Sequence, residues 1–253
     1  MYDDETVERA LALSAQGIPH DEVARICGVY EGSVRHWRRQ GRRSDILVDP
    51  RRTCPRCSGR PLDHSTYSYL LGLYLGDGHI AHHRRRVLRL TIACCDGWPG
   101  LIEEAAKAIS VVMPTSSVGR LQRTGCTIVN SYSKHWACLF PQHGPGMKHT
   151  RKIALEAWQE EIVSEFTREF VRGLIHPDGS RSTNRVRRPC KDGDRWYEYP
   201  RYFSTNTSAD IRRLFTDALD SLKIDWKQAN ERNISIAKRE AVARLDEFVG
   251  PKY

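Results

Sequence analysis

Two short stretches of the chain carry an acid at the end of an apolar run. "YLLGLYLGDGH" occupies residues 69–79 and "FVRGLIHPDGS" residues 170–180. Aligned, Gly72 matches Gly173, Leu73 matches Leu174, Asp77 matches Asp178 and Gly78 matches Gly179, at an offset of 178 − 77 = 101 residues. The first run, Leu70 to Gly76, is far short of the roughly 20 residues that cross a bilayer, so it must be buried in protein. A carboxylate is a hard oxygen donor, and two brought together suit Mg²⁺ (or Mn²⁺), which keeps waters and coordinates phosphate oxygens. Cys54 and Cys57 form a second candidate centre, a C-x-x-C pair. One such pair is half of a structural Zn²⁺ site, which needs four ligands. His64, Cys94 with Cys95, or the pair His143 and His149 are possible complements; inert thiols in a tight turn are the alternative.

The charge balance points to an anionic partner. Net charge is +9, and Arg supplies 31 of the 40 basic residues. Guanidinium forks suit phosphates and guanine edges, so this bias favours nucleic acid, although an Arg-rich coding bias gives the same count. The chain opens "MYDDETVERA", which has no apolar core of a secretory signal, and no run approaches 18 apolar residues. Eight scattered Cys are not spaced as a disulfide frame. The expectation is a cytoplasmic, nucleoid-associated monomer with reduced thiols and no membrane contact.

The pattern around these residues predicts a front module over 1–42, a linker over 43–64 with the Cys pair, and two tandem units over 65–160 and 161–253. In the front module Val7, Ala10, Leu11 and Ala15 lie at helical spacing, and Asp21 is a good N-cap for a second helix. Ala24, Gly28, Val34 and Trp37 fall at offsets of 4, 10 and 13 from Ala24. This resembles the helix-turn-helix pattern: a small residue where two helices touch, a turn glycine and two buried apolar groups. The resemblance implies that the third helix enters the major groove of double-stranded DNA. Ser33, Arg35, His36, Arg38 and Arg39 then point outward as base or phosphate contacts.

In the tandem units "RRRVLRLTIAC" alternates, with Leu88, Leu90 and Ile92 on one face. Turns at Thr124–Gly125 and Asp192–Gly193 predict hairpins, and "ADIRRLFTDALDSL" and "REAVARLDEFVG" read as helices. Each unit therefore reads αββαββα. With "LLGLYLGDG" and "VRGLIHPDG", the chain resembles the LAGLIDADG homing endonuclease family. The implied fold is α+β: a pseudo-twofold pair of αββαββα repeats behind a small all-α domain. The motif helices would pack side by side, and Gly72 and Gly76, four residues apart, would let their backbones approach closely. The resemblance implies metal-dependent cleavage of double-stranded DNA at Asp77 and Asp178, with Gly78 and Gly179 beside the metal. A basic residue per unit is expected, from Lys134, Lys148 and Lys238. Arg85, Arg89, Arg120, Gln122, Arg185 and Arg187 are the expected DNA-facing strand residues. Pro177, where the family has a small residue, predicts that the second helix ends a turn early and moves its carboxylate. That leaves open a nickase, or a transcriptional regulator built on a degenerate nuclease domain. The chain starts with Met and lacks a terminal His-Asn, which reads as free-standing.

Overall fold

Residues 2–40, 54–84, 87–190 and 193–253 are described by the computed structural model, without the side chains of residues 39, 40, 58 and 190. Two compact units emerge, Met1–Thr53 and Cys54–Tyr253.

The first unit holds α1 (Asp4–Ala15), α2 (His20–Cys27) and α3 (Glu31–Gln40). Asp3 caps α1, its carboxylate accepting from the Thr6 N–H at 2.7 Å. The cap of α2 is Pro19, and Asp21 lies inside the first turn, where its charge complements the helix dipole. Gly28 closes α2 in the left-handed region (φ 64°), a conformation that glycine adopts without the Cβ penalty. Ala10, Val23, Ala24, Val29 and Val34 form the small core, with Trp37 packed on it.

The second unit is a repeat in space as well as in sequence. Its first half runs α5 (His64–Asp77), β1 (Gly78–His83), β2 (Val87–Cys95), α6 (Pro99–Val112), β3 (Val118–Arg123), β4 (Cys126–Ser133) and α7 (Trp136–Leu139), after a one-turn helix α4 (Pro55–Ser58). The second half runs α9 (Thr167–Asp178), β5 (Gly179–Cys190), β6 (Gly193–Thr205), α10 (Ala209–Ser221), β7 (Lys227–Gln228), β8 (Asn233–Ile236) and α11 (Arg239–Asp246), with α8 (Ala157–Glu165) between the halves. Each half forms a four-stranded antiparallel sheet, ordered β1-β2-β4-β3 and β5-β6-β8-β7. This is the two-repeat α+β architecture that the αββαββα pattern predicts.

The period-2 pattern decides which sheet face is dry. Leu88, Leu90, Ile92 and Cys94 are buried while their β2 neighbours are not. Left-handed Gly125 (φ 76°) and Gly193 (φ 106°) stand at the β3–β4 and β5–β6 turns; Asp192 lies outside the described residues. Helix α5 has no polar side over its last turns: Tyr67 to Leu75 are all buried. Such a helix belongs inside a core, and its neighbour there is α9.

Candidate active site

Helices α5 and α9 touch backbone to backbone. A Cβ built on Gly72 would lie 2.6 Å from the Gly173 carbonyl carbon, and one on Gly173 would lie 2.2 Å from the Tyr69 oxygen. No side chain fits there. One turn on, a Cβ on Gly76 would meet the Pro177 ring at 2.3 Å. The expected early end of the second helix does not occur: α9 runs through Pro177 to Asp178, just as α5 runs to Asp77. The Pro177 ring fills the space that Gly76 leaves open. Gly78 and Gly179 follow in extended conformation. Their requirement is close approach, since a Cβ at Gly78 would sit 2.4 Å from the Tyr74 Cα.

Both acids therefore stand at helix C-termini, where the dipole is already negative and disfavours them. Two lysines offset this. Lys148 Nζ donates to the carbonyls of Tyr74 (2.7 Å), Leu75 (2.8 Å), Gly76 (2.5 Å) and Gly78 (2.9 Å). Lys252 Nζ donates to the Gly179 carbonyl. Asp77, Asp178, Lys148, His149 and Asn206 line one open cleft of about 500 Å³. Burial pushes the Asp178 carboxyl up to about 6, and the nearby Asp77 charge adds to the rise. The Asn206 amide opposes it, donating to Asp178 Oδ2 at 2.6 Å. Asp77 is also raised by burial, and burial lowers Lys148 to about 8 against the pull of the two acids. Two carboxylates in one open cleft are a hard-oxygen pair suited to Mg²⁺ or Mn²⁺.

Of the three candidate lysines, only Lys148 reaches this cleft. Lys134 is exposed on the turn before α7. Lys238 is also exposed and pairs with Asp225 at 3.0 Å. Lys252 was not singled out from the sequence, although 252 − 148 = 104 residues is nearly the motif offset of 101. Asn206 carried no sequence signal.

The strand candidates divide by register, because cross-strand partners share a face. Arg120 pairs with buried Val129 and Gln122 with buried Thr127, so both belong to the helix-covered face. There they are engaged by acids: Arg120 by Glu103 at 2.6 Å, Gln122 by Asp96 at 2.7 Å. Arg185 and Arg187 share the register of Arg181, whose partner is buried Tyr202, and they pair with Glu198 and Asp194. Arg89 does lie on the open face, opposite Tyr132, whose ring it approaches at 5.7 Å. The corresponding open positions of the long second hairpin include Asn184, Arg188, Arg195, Tyr197 and Tyr199. A period of two sends every misassigned residue to the opposite face, and residue type alone does not give the parity. Arg85 lies outside the described residues, as does the Arg39 side chain. In the first unit, Arg35, His36 and Arg38 are exposed and Ser33 is half-buried; Arg35 pairs with Glu31 at 2.6 Å.

The Cys pair has different companions from those expected. Cys54, Cys57, His135 and Cys138 each offer a ligand atom, all within 4.8 Å of one another. His143 is turned to His82 (ring centroids 5.8 Å apart), and His149 lines the acid cleft, because the loop carrying both runs towards the ends of the motif helices. Cys94 is buried in the core behind β2.

Comparison with known proteins gives the fold its name. No family model and no curated protein matches the chain. Among solved structures, the homing endonuclease I-DmoI in complex with DNA and Mn is similar at TM-score 0.51 and 13% identity, covering 75% of this chain and 99% of that one. Mesophilic variants of the same homing endonuclease match at TM-score 0.50 and 13% identity, over 74% and 96%. The Cys54–Tyr253 unit thus has the two-repeat LAGLIDADG fold.

Proposed function

We propose that the chain is a metal-dependent endonuclease of double-stranded DNA, with Asp77 and Asp178 holding Mg²⁺ or Mn²⁺. The observation that carries this reading is the meeting of the Asp77 and Asp178 carboxylates in one cleft lined by Lys148, with the Lys252 charge close to both. A protein that only bound DNA would gain nothing from acids facing phosphate, since like charges repel. The remaining positions would be filled by water and phosphate oxygens, since the carbonyls of Gly76 and Gly78 already accept from Lys148. A divalent cation bound there would supply an activated water and charge neutralisation at the phosphate. The chain's own groups do the rest: Asn206 fixes the Asp178 carboxylate, and Lys148 and Lys252 place positive charge where a scissile phosphate and its leaving oxygen would lie.

The open sheet faces would carry the DNA backbone through Arg89, Arg188 and Arg195. The α1–α3 unit would read sequence through Ser33, Arg35, His36, Arg38 and Arg39, as its helix-turn-helix-like spacing suggests. The test is incubation with a randomised duplex library in Mg²⁺ or in EDTA, followed by sequencing of both bound and cut DNA. Defined cleavage in Mg²⁺ alone is the expected result. Tight, specific binding without cleavage under any divalent ion would overturn it in favour of a regulator.

A further inference from the structure

Among the described residues outside the acid cleft, one cluster of metal-ligating side chains has a built geometry. Two one-turn helices face each other on the flank of the first repeat, α4 and α7. Each contributes ligands from equivalent positions. Cys54 is the N-cap of α4 and Cys57 its third residue; His135 is the N-cap of α7 and Cys138 its third residue. The sequence thus carries C-x-x-C at 54–57 and H-x-x-C at 135–138, two like halves 81 residues apart.

The distances among Cys57, His135 and Cys138 fit one tetrahedral ion. Cys57 Sγ lies 3.6 Å from His135 Nδ1 and 3.4 Å from Cys138 Sγ, and Cys138 Sγ lies 3.8 Å from His135 Nδ1. Around Zn²⁺ with Zn–S of about 2.3 Å and Zn–N of about 2.0 Å, ligand atoms stand roughly 3.5–3.8 Å apart. Cys54 is 1% exposed and closes the set from inside. Three thiolates and an imidazole form a soft, four-coordinate, closed set, the type of a structural rather than a catalytic zinc.

The segment has a reason to need the ion. Between Cys54 and Asp63 the sequence "CPRCSGRPLD" offers Leu62 as its one large aliphatic side chain. A four-residue helix that, among its described residues, buries only Cys54 and Pro55 gains little from burial. Among the described residues its further ties are Arg56, stacked 4.3 Å over the Trp158 ring, and Leu62, packed on the core. We infer that Cys54, Cys57, His135 and Cys138 bind one structural Zn²⁺ that clamps the leading segment of the second unit onto α7. Metal binding supplies the folding free energy that the segment's side chains lack. None of the four ligands lines the acid cleft, so the inference stands whether or not the chain cuts DNA.

The competing arrangement is a Cys57–Cys138 disulfide, which would leave Cys54 and His135 unused. Elemental analysis and thiol counting on the freshly purified full chain separate the two without any variant. About one zinc per chain and no disulfide are expected. Exchange into Co²⁺ should give thiolate charge-transfer bands and the intense visible bands of a tetrahedral site. Cys57→Ser and Cys138→Ser should each lose the metal, Cys126→Ser should keep it, and His135→Cys should keep it with an all-sulfur cobalt spectrum where His135→Ala does not. Zinc-free protein that takes up neither Zn²⁺ nor Co²⁺ after reduction would overturn the site. So would full zinc retention in Cys138→Ser, or a disulfide between residues 57 and 138 in protein purified under reducing conditions.

Discussion

At the scale of single residues, the two aspartates are similar in placement and unlike in surroundings. Asp178 has the Asn206 amide and the raised pKa of about 6; Asp77 depends on the positive charge of Lys148 and Lys252. Asp77→Asn and Asp178→Asn preserve shape and remove charge. Each should abolish Mg²⁺-dependent cleavage, while duplex affinity measured in EDTA stays equal or rises. The pH dependence follows from the direction of the shift. Burial disfavours the ionised acid, so the folded chain holds the Asp178 proton more tightly than the unfolded chain. Its contribution to stability is present at low pH and is lost as pH rises from about 4 through about 6. In EDTA, wild type should lose roughly 3 kcal/mol across that window relative to Asp178→Asn, read from urea midpoints. The lysines give a separate test: Lys148→Met and Lys252→Met should each slow single-turnover cleavage roughly 100-fold or more. Equal rates in either variant would remove that lysine from the chemistry.

At the scale of elements, the α5–α9 seam is a contact between backbones. Gly72→Leu forces a side chain into space occupied by Gly173, and the helices must part. The expected cost is roughly 3 kcal/mol or more, seen as a lowered denaturation midpoint together with lost activity. A variant as stable as wild type would mean that the seam is looser than drawn. Sheet register makes the other prediction at this scale. Arg188→Ala removes a cation from the open face of the long hairpin, whereas Arg187 is already paired with Asp194 on the opposite register. Arg188→Ala should therefore weaken duplex binding and reduce the salt slope by about one, and Arg187→Ala should do less. The reverse order of effects would reverse the face assignment.

At the scale of the whole molecule, two units share one basic chain of net charge +9. If the α1–α3 unit reads sequence, removing residues 1–42 should leave a folded second unit that binds duplex more weakly and with broader site preference. Binding before and after truncation should fall steeply with salt as counterions are taken up again. Selection on a random library checks it, and an unchanged site preference in the truncated protein would assign the reading to the sheets.

The sequence by itself determined the repeat, both acids and the order of elements. These rest on local facts: an apolar run without a polar side, a period of two, and turn glycines where φ is positive. Whatever depends on chain segments far apart was decided only in three dimensions. The ring of Pro177 fills the hollow at Gly76, so a residue that should end a helix instead completes the seam. Lys252 reaches the second motif from the far end of the chain, and His135 and Cys138 meet the Cys pair across some 80 residues. Strand parity was misread for Arg120, Gln122, Arg185 and Arg187 because a charged residue looks outward in a sequence, while at a sheet edge it can reach back to an acid on the covered side. Sequence fixes what a residue can bind; only the packing of distant segments fixes which partner is within reach.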